Sequence, residues 1–444
     1  MNRYAGQHIL RQTATKLTGR PSSNTSTTKA GPVPIWIGVG RAISMNLAIQ
    51  WLAQMWTTAG ITAAIVSLPG TVELLMLTLG AVLPKRSRLL AQHSTGRLRL
   101  AALVPAHNEE ITIQDCVQSL QRASRGHFDI QIVVVADNCE DRTGEVAEMA
   151  GARVLLRQDP NLRGKGYALD FAFKTLLSEG FDAFLIVDAD SEVSNNFFLE
   201  AGEFLRSGAD AVQCRYLVKN PSESVRTRLM SVAYRAFNVL RAKGRDRLGL
   251  SCGIYGNGFG IRRETLQTVP YRVSSVVEDS EYHLSLVRSG KRVLFVDAAT
   301  VLAEIPTTGK GVATQRARWE GGKFRIAREQ SLVLLGDVFS GRLGSLEPLM
   351  DLLLLPLGFH VVLLVLAAFA PWTPARLAGF GGLLIVLVHL AVAIVTSGGD
   401  WRDVVVLLAS PGYILWKLLQ IPRLIRSSRA NTTWVRTERR RRVL

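Results

Sequence analysis

The sequence predicts an α/β domain built on a mostly parallel sheet, with apolar helices before and after it in the chain. Three observations predict this. Between residues 98 and 330, short runs rich in Val, Ile, Leu and Phe alternate with amphipathic stretches, the rhythm of strands joined by crossover helices. Outside that region, apolar runs lie at 59–83, 349–371 and 377–397, and about 20 such residues cross a bilayer. Several central apolar runs also end abruptly on Asp, Glu or Asn. Ligands of parallel sheets sit beyond those strand ends.

Bulk composition narrows the partners. Of 444 residues 48% are hydrophobic, and 53 Lys+Arg against 36 Asp+Glu leave a net charge of +17. Such a surplus suits nucleic acid or an anionic membrane surface equally. Position decides: "PKRSR" (84–88) and "RLIRSSRANTTWVRTERRRRVL" (423–444) flank apolar runs, as the positive-inside rule requires of cytoplasmic flanks. Nucleic acid is set aside, because zinc-finger spacing, an aromatic RNP motif and a basic zipper are all missing from the sequence. Cys116, Cys139, Cys214 and Cys252 are scattered, without a C-x-x-C pair, and read as reduced thiols of a cytosolic domain. No histidine pair has zinc-protease spacing, which argues against a metallohydrolase.

Along the chain, residues 1–34 are polar and Ser/Thr-rich, and read as disordered. Region 35–97 holds two elements. The stretch 35–56 is interrupted by Arg41, Asn46, Gln50 and Gln54, which suits an interfacial amphipathic helix. The run 59–83 is long enough to cross, despite Pro69 and Glu73. It begins too far from Met1 for a secretory signal. Within 98–330 the strand-like runs are "RLAALVP", "IQIVVVA", "ARVLL", "AFLIVDA", "AVQCRYLV" and "KRVLFVD". In 331–422 two spans are expected, 349–371 and 377–397, joined by "WTPAR". The run 404–422, broken by Pro411 and carrying Lys417, is then interfacial or re-entrant. Only an even number of crossings keeps the catalytic domain and the basic tail 423–444 both cytoplasmic.

The chemistry gathers at a few short motifs. In "FLIVDADSEV" (184–193) an apolar strand ends on Asp188 and Asp190, two carboxylates on one face of an extended chain. They form either a solvated acidic turn or a site for a hard cation such as Mg²⁺ or Mn²⁺, which binds through carboxylates plus substrate phosphates. Glu278 and Asp279 precede an amphipathic stretch, where either serves as a helix cap or as a general base toward a hydroxyl. "QRARW" (315–319) places Arg316, Arg318 and Trp319 within a turn and a half of helix. The arginines are solvated charges or phosphate ligands, and an exposed Trp319 offers a face for a sugar ring. "LRGKGYAL" (162–169) sets Lys165 between glycines, a flexible loop with a point charge suited to phosphate.

Taken in order, "VPAHNEE", "VVADNCEDRT", "RGKGYALDFAF", "DADSEV", "GNGFGIRRE", "VEDSEYHLSL" and "QRARW" resemble the membrane-bound family-2 glycosyltransferases, whose catalytic domain has the Rossmann-like GT-A fold. "WVRTER" (434–439) is similar to a tail of related synthases, and the detail is most similar to the EpsO-like exopolysaccharide enzymes. The resemblance implies a nucleoside pocket lined by Pro105, Ala106 and Glu109, with Asp137 on the base. It implies that Asp188 contacts the nucleotide and joins Asp190 at a Mg²⁺ or Mn²⁺ bridging the diphosphate, while Lys165 helps to hold the donor. Asp279, beside Glu278, would be the general base. Gln315, Arg318 and Trp319 would position diphosphate and acceptor sugar. Two positions depart from the family pattern: Ala136 stands for the first Asp of a D-D pair, and Val277 for the Thr of T-E-D.

The implied reaction moves a sugar, with inversion, from a nucleotide sugar (UDP-linked in expectation) to a lipid-linked or glycan acceptor, giving a β-linkage. Its place would be the bacterial cytoplasmic membrane, multi-pass, with the catalytic domain cytoplasmic and a homo-oligomer allowed. Two alternatives remain open. One is a processive β-glycan synthase that exports a polymer, since "QRARW" marks those enzymes too. The other is an inactive membrane scaffold.

Overall fold

The structure, a computed structural model, describes residues 35–84, 98–126, 128–272, 277–307 and 310–422, with side chains of 35–45 and 310–318 excluded. The expected disordered segment 1–34, most of the basic flank 84–88 and the tail 423–444 lie outside the described residues. The chain divides into two compact units, Met1–Met55 and Trp56–Leu444. In the first, the described residues are helical, and Leu47, Ile49, Trp51, Leu52 and Met55 are exposed.

Eight strands form one sheet: β1 Arg99–Ala106, β2 Asp129–Asp137, β3 Arg153–Arg157, β4 Ala183–Ile186, β5 Ser191–Val193, β6 Ala211–Val218, β7 Phe259–Arg262 and β8 Val293–Ala303. Their order is β3-β2-β1-β4-β7-β6-β8-β5. The first four are parallel, as is β6 with β8, while β7 runs antiparallel to both neighbours and β5 to β8. The sheet is therefore mixed and mostly parallel.

The helices are α1 Ile35–Val82, α2 Ile113–Ala123, α3 Thr143–Met149, α4 Lys165–Leu176, α5 Phe197–Arg206, α6 Val225–Tyr234, α7 Ala242–Leu248, α8 Arg263–Thr268, α9 Glu278–Arg288, α10 Lys310–Phe339, α11 Leu346–Leu353, α12 Leu357–Ala368, α13 Thr373–Thr396, α14 Trp401–Val405 and α15 Ser410–Leu418. A π-helical stretch, Arg235–Arg241, joins α6 to α7. The strands read as continuous apolar runs because both faces of the sheet are covered. On one face Leu100, Ala102, Val104, Val134 and Leu185 pack with Cys116, Leu120 and Phe198 of α2 and α5. On the other, Ala101, Leu103, Val133, Phe184 and Ile186 pack with Leu169 and Phe173 of α4. Each fully buried Val, Leu or Phe contributes about 1.5–3 kcal/mol.

Three expectations need correction, two of them in the apolar regions. The stretches 35–56 and 59–83 are not separate elements: α1 runs unbroken through both, with Pro69 inside it. A proline there withdraws one N–H from the ladder. Nearby hydroxyls bond to the chain instead, Ser67 to the Ala64 carbonyl at 3.1 Å and Thr71 to that of Ser67 at 2.9 Å. The run 349–371 is not one straight helix: the segment Leu343–Leu353 and α12 meet at 79°. Pro356 causes the break, since residues before a proline are driven out of the helical region, and Leu354 is already extended at ψ 108°. Finally, Lys165 does not sit in a loop but opens α4, after Gly164 turns the chain at φ +132°. Among the described residues, Asn46–Val82 and Thr373–Thr396 are long and apolar enough to cross a membrane, and the bent pair would add a third span. The run 404–422 forms only short helices, with Pro411 in the first turn of α15.

Within the second unit the apolar helices have two distinct ends. At one, the Trp56 indole donates to the Phe369 carbonyl at 2.9 Å. At the other, Arg247 of α7 donates to the carbonyls of Ala81 and Leu83. The Ser397 carbonyl, just past α13, accepts from Arg215 at 3.1 Å and from Arg235. Packing there is tight: a Cβ on Gly244 would lie 2.2 Å from the Leu77 carbonyl oxygen. The charge on α1 is also accounted for. Glu73 is fully buried and meets Arg241 at 2.5 Å and Arg245 at 3.0 Å. Arg245 in turn reaches Asp351 at 2.9 Å, and also Glu347.

Candidate active site

The polar segments after β1, β2 and β4 meet at the carboxyl edge of the sheet. His107 Nδ1 lies 2.7 Å from the Asp137 carbonyl, which ties the first two loops together. Both loops turn at asparagines with positive φ, Asn108 (+54°) and Asn138 (+50°), a conformation that Asn tolerates better than most residues. Their side chains brace the turns. Asn108 Oδ1 accepts from the Glu140 amide at 2.7 Å, and Asn138 Oδ1 from the Asp159 amide at 2.8 Å.

Pro105 and Ala106 close β1 beside these turns. The Glu109 amide donates to Thr143 Oγ1 at 2.7 Å, and its carboxylate accepts from Thr112 at 3.0 Å. Asp137 is buried, and its Oδ1 accepts from Arg157 at 2.5 Å and from Asn138 at 2.9 Å. The carboxylate implied to read a base is thus engaged by a buried guanidinium.

A second group forms around Gly256. Asp188 follows β4, and its amide donates to Asn257 Oδ1 at 3.1 Å. Asn257 is fully buried and donates to Ser191 Oγ at 2.8 Å, and Ser191 Oγ donates to Asp190 Oδ1 at 3.2 Å. One buried amide therefore fixes the turn that carries both carboxylates. The Lys165 ammonium donates to Asp188 and to the Gly256 carbonyl. Gly256 has φ +77°, and a Cβ there would lie 3.1 Å from Asp279 Oδ2 and 4.0 Å from Lys165 Nζ. Only glycine leaves that space open.

Glu278 and Asp279 form the first turn of α9, with Val277 as the residue before it. Burial raises the Asp279 pKa above the ordinary carboxylate range, against the opposing pull of the Ser280 amide (2.8 Å from Oδ1) and of Lys165. Burial also works against the charge of Lys165, but Asp188, Glu278 and Asp279 outweigh it and hold its pKa up. Burial, followed by Tyr234, Asp188 and Asp190, pushes the Tyr216 phenol well up.

The sequence-predicted residues Asp188, Lys165 and Asp279 thus converge, with Asp190 and Glu278 beside them. Asp137, Glu109, Pro105 and Ala106 line the adjoining loops. Gln315 and Arg318 lie on α10, with side chains outside the described residues. Trp319, on the same helix, is 38% exposed. The residues that sequence reasoning missed are Asn257, Gly256, Asn108 and Asn138. A signal existed for all four: each stands in a polar segment next to a strand.

Residues 98–322 match the family described as glycosyltransferase like family 2. The chain belongs to that family. Probable glycosyltransferase YdaM of Bacillus subtilis (strain 168) is 28% identical over 233 residues, covering 50% of this chain and 55% of the relative. The 4,4'-diaponeurosporenoate glycosyltransferase of Staphylococcus haemolyticus (strain JCSC1435) is 32% identical over 106 residues, covering 23% of this chain and 27% of the relative. The chain therefore matches about half the length of the first relative and about a quarter of the second. Among solved structures, the mannosyltransferase PcManGT from Pyrobaculum calidifontis, in complex with GDP-Man and Mn²⁺, is 17% identical with a TM-score of 0.48, covering 78% of this chain and 99% of that one.

Proposed function

We propose that this family member is an inverting, membrane-bound hexosyltransferase of GT-A type. It moves one sugar from a nucleotide sugar to a lipid-linked acceptor on the cytoplasmic face of the membrane, in EpsO-like exopolysaccharide assembly. The observation that carries this reading is the convergence of Asp188, Lys165 and Asp279 around Gly256. A carboxyl pair, an ammonium and a carboxyl of raised pKa are the groups needed for a diphosphate leaving group and a hydroxyl nucleophile.

The donor set fits a divalent cation brought in with its substrate. Among the described residues there is no cluster of three or more His, Cys, Asp or Glu able to hold a metal. Asp188 and Asp190 supply two hard oxygen donors from a braced turn. Mg²⁺ and Mn²⁺ accept one or two carboxylates when phosphate oxygens complete the shell. Bound there, the ion supplies charge neutralisation for the departing diphosphate.

The chain's own residues do the rest. The loops after β1 and β2 hold the nucleoside, and Lys165 holds a phosphate oxygen. Asp279 takes the proton of the acceptor hydroxyl as that oxygen bonds to the anomeric carbon. The bond to the diphosphate breaks, and the leaving nucleotide keeps the electron pair. Attack from the opposite face inverts the centre, so an α-linked donor gives a β-linked product.

The test offers the purified full chain, in vesicles of bacterial polar lipid, a panel of radiolabelled UDP- and GDP-sugars. Label in a short lipid-extractable product supports the reading. A long polymer overturns single addition in favour of a processive synthase. No consumption of any donor overturns the enzyme.

A further inference from the structure

Lys417 is a cation in an apolar segment, and the reaction above gives it no task. It lies on α15 and is only 7% exposed. Its ammonium stands 2.6 Å from Glu320 Oε1 and 5.1 Å from the centre of the Phe359 ring. The stem crosses Gly358, where a Cβ would meet Lys417 Cδ at 3.2 Å. The path of this side chain is thus fixed at both ends, by a missing side chain under its stem and by a carboxylate at its tip.

Glu320 directly follows Trp319, and its carboxylate is largely shielded from water, with the side chain 16% exposed. On α10, positions 315, 318, 319, 322 and 326 recur at three- and four-residue spacing and share one helical face. At 322 and 326 that face packs against Val277 and Leu284, on either side of the catalytic pair in sequence. A Cβ on Gly322 would lie 2.2 Å from Val277 Cγ1, and Ile326 packs in one cluster with Val277 and Leu284. Arg325 adds an ion pair to Glu281 of α9 at 3.0 Å. The start of α9, where Asp279 sits, and the Q-x-x-R-W segment are therefore held as one body. Lys417 grips that body from the side of the apolar helices.

We propose that Lys417 is a positioning residue for the acceptor half of the site, acting through Glu320 to set the rotation of α10 about its axis. The inference rests on the glycosyltransferase reading. The pair holds Trp319 and the motif face toward Asp279, where the acceptor hydroxyl must lie, and leaves the nucleotide loops on β1 and β2 untouched. Reacting groups misplaced by about 1 Å lose around a hundredfold in rate. Loss of the pair therefore affects transfer to the acceptor and spares the donor.

The experiment uses the full chain in vesicles of bacterial polar lipid, with the radiolabelled UDP- or GDP-sugar that the wild type consumes. Three quantities are read: UDP or GDP affinity, melting temperature, and the ratio of label in lipid-extractable product to label released as free sugar. Lys417→Met is expected to lower that ratio by about tenfold or more, with nucleotide affinity within about twofold. Lys417→Arg, which keeps the charge, recovers most of the ratio. The exchange Glu320→Lys with Lys417→Glu recovers more than either single change. An unchanged ratio in Lys417→Met overturns the proposal. So does a loss of nucleotide affinity in step with transfer and melting temperature, with no recovery in the exchange. If the wild type consumes no donor, the glycosyltransferase reading itself fails, and the proposal with it.

Discussion

At the residue scale, the proposed function gives Asp279 the proton transfer, and the residue's burial suits it to that role. Burial raises its pKa, so the carboxylate is a stronger base than an exposed one and the acidic limb of the rate profile shifts upward in pH. Asp279→Asn is expected to lower transfer by about 10²–10⁴ while UDP or GDP affinity stays near that of the wild type. The same shift makes a stability prediction. A carboxyl whose folded pKa is raised stabilises the fold fully only below its unfolded value, and that contribution is lost as pH rises through the folded value. Asp279→Asn should therefore melt higher than the wild type at pH 7, with the gap closing toward pH 4, as scanning fluorimetry across that range will read.

At the element scale, the charged side chains between α1, α7 and α11 hold the apolar helices to the catalytic domain. Glu73 is fully buried, and Arg241 and Arg245 are nearly so, at 3% and 4% exposure. Removing one partner of such a group strands the others, at a cost of about 3–5 kcal/mol. Arg245→Met, which leaves Glu73, Glu347 and Asp351 short of a cation, is expected to cost that much in detergent-solubilised protein. Glu320→Gln, at a pair flanking the site, is expected to lower the melting temperature less. The cluster was not legible in the sequence. Glu73 reads there only as a blemish in an apolar run, because Arg241 lies 168 positions away. Side-chain pairing at such separations leaves no periodic trace.

At the scale of the whole molecule, the two ends of the apolar helices give the proposed membrane-bound enzyme a testable topology. Trp56 and Phe369 share one end. Leu83 and Ser397 lie at the other, each held by arginines of the catalytic domain. With α13 crossing a bilayer, the chain must reach its start from the catalytic side through the bent pair at 343–368. On the proposed membrane-bound reading that makes three crossings and returns residue 397 to the catalytic side. A cysteine introduced at Trp372 is expected to react with an impermeant maleimide from outside intact cells, and one introduced at Leu408 only after lysis. Reaction of both from outside would refute the assignment.

The sheet was legible because strands buried on both faces read as apolar runs. β5, of three residues, was not, being too short for its pattern to register, and in β7 glycines interrupt the apolar run. The paired carboxylates were legible because a strand end displays them. Gly256 and Asn257 were visible only as members of a polar segment before a strand, because the empty space and the backbone bond through which they act arise in the fold.

The contact between Lys165 and Asp188 bears on the order in which ligands gather. An ammonium already answers the charge of that carboxylate, so on the proposed reading a divalent ion arriving alone competes with a resident cation. A nucleoside diphosphate offers Lys165 another anion and releases Asp188 to the ion. Each ligand thereby eases the other's entry, and thermodynamic reciprocity makes the two enhancements equal. Calorimetric titration of Mn²⁺ with and without UDP or GDP should show this mutual gain in the wild type. In Lys165→Met the ion alone should bind more tightly and the gain should shrink, so that the lysine makes metal and nucleotide arrive together.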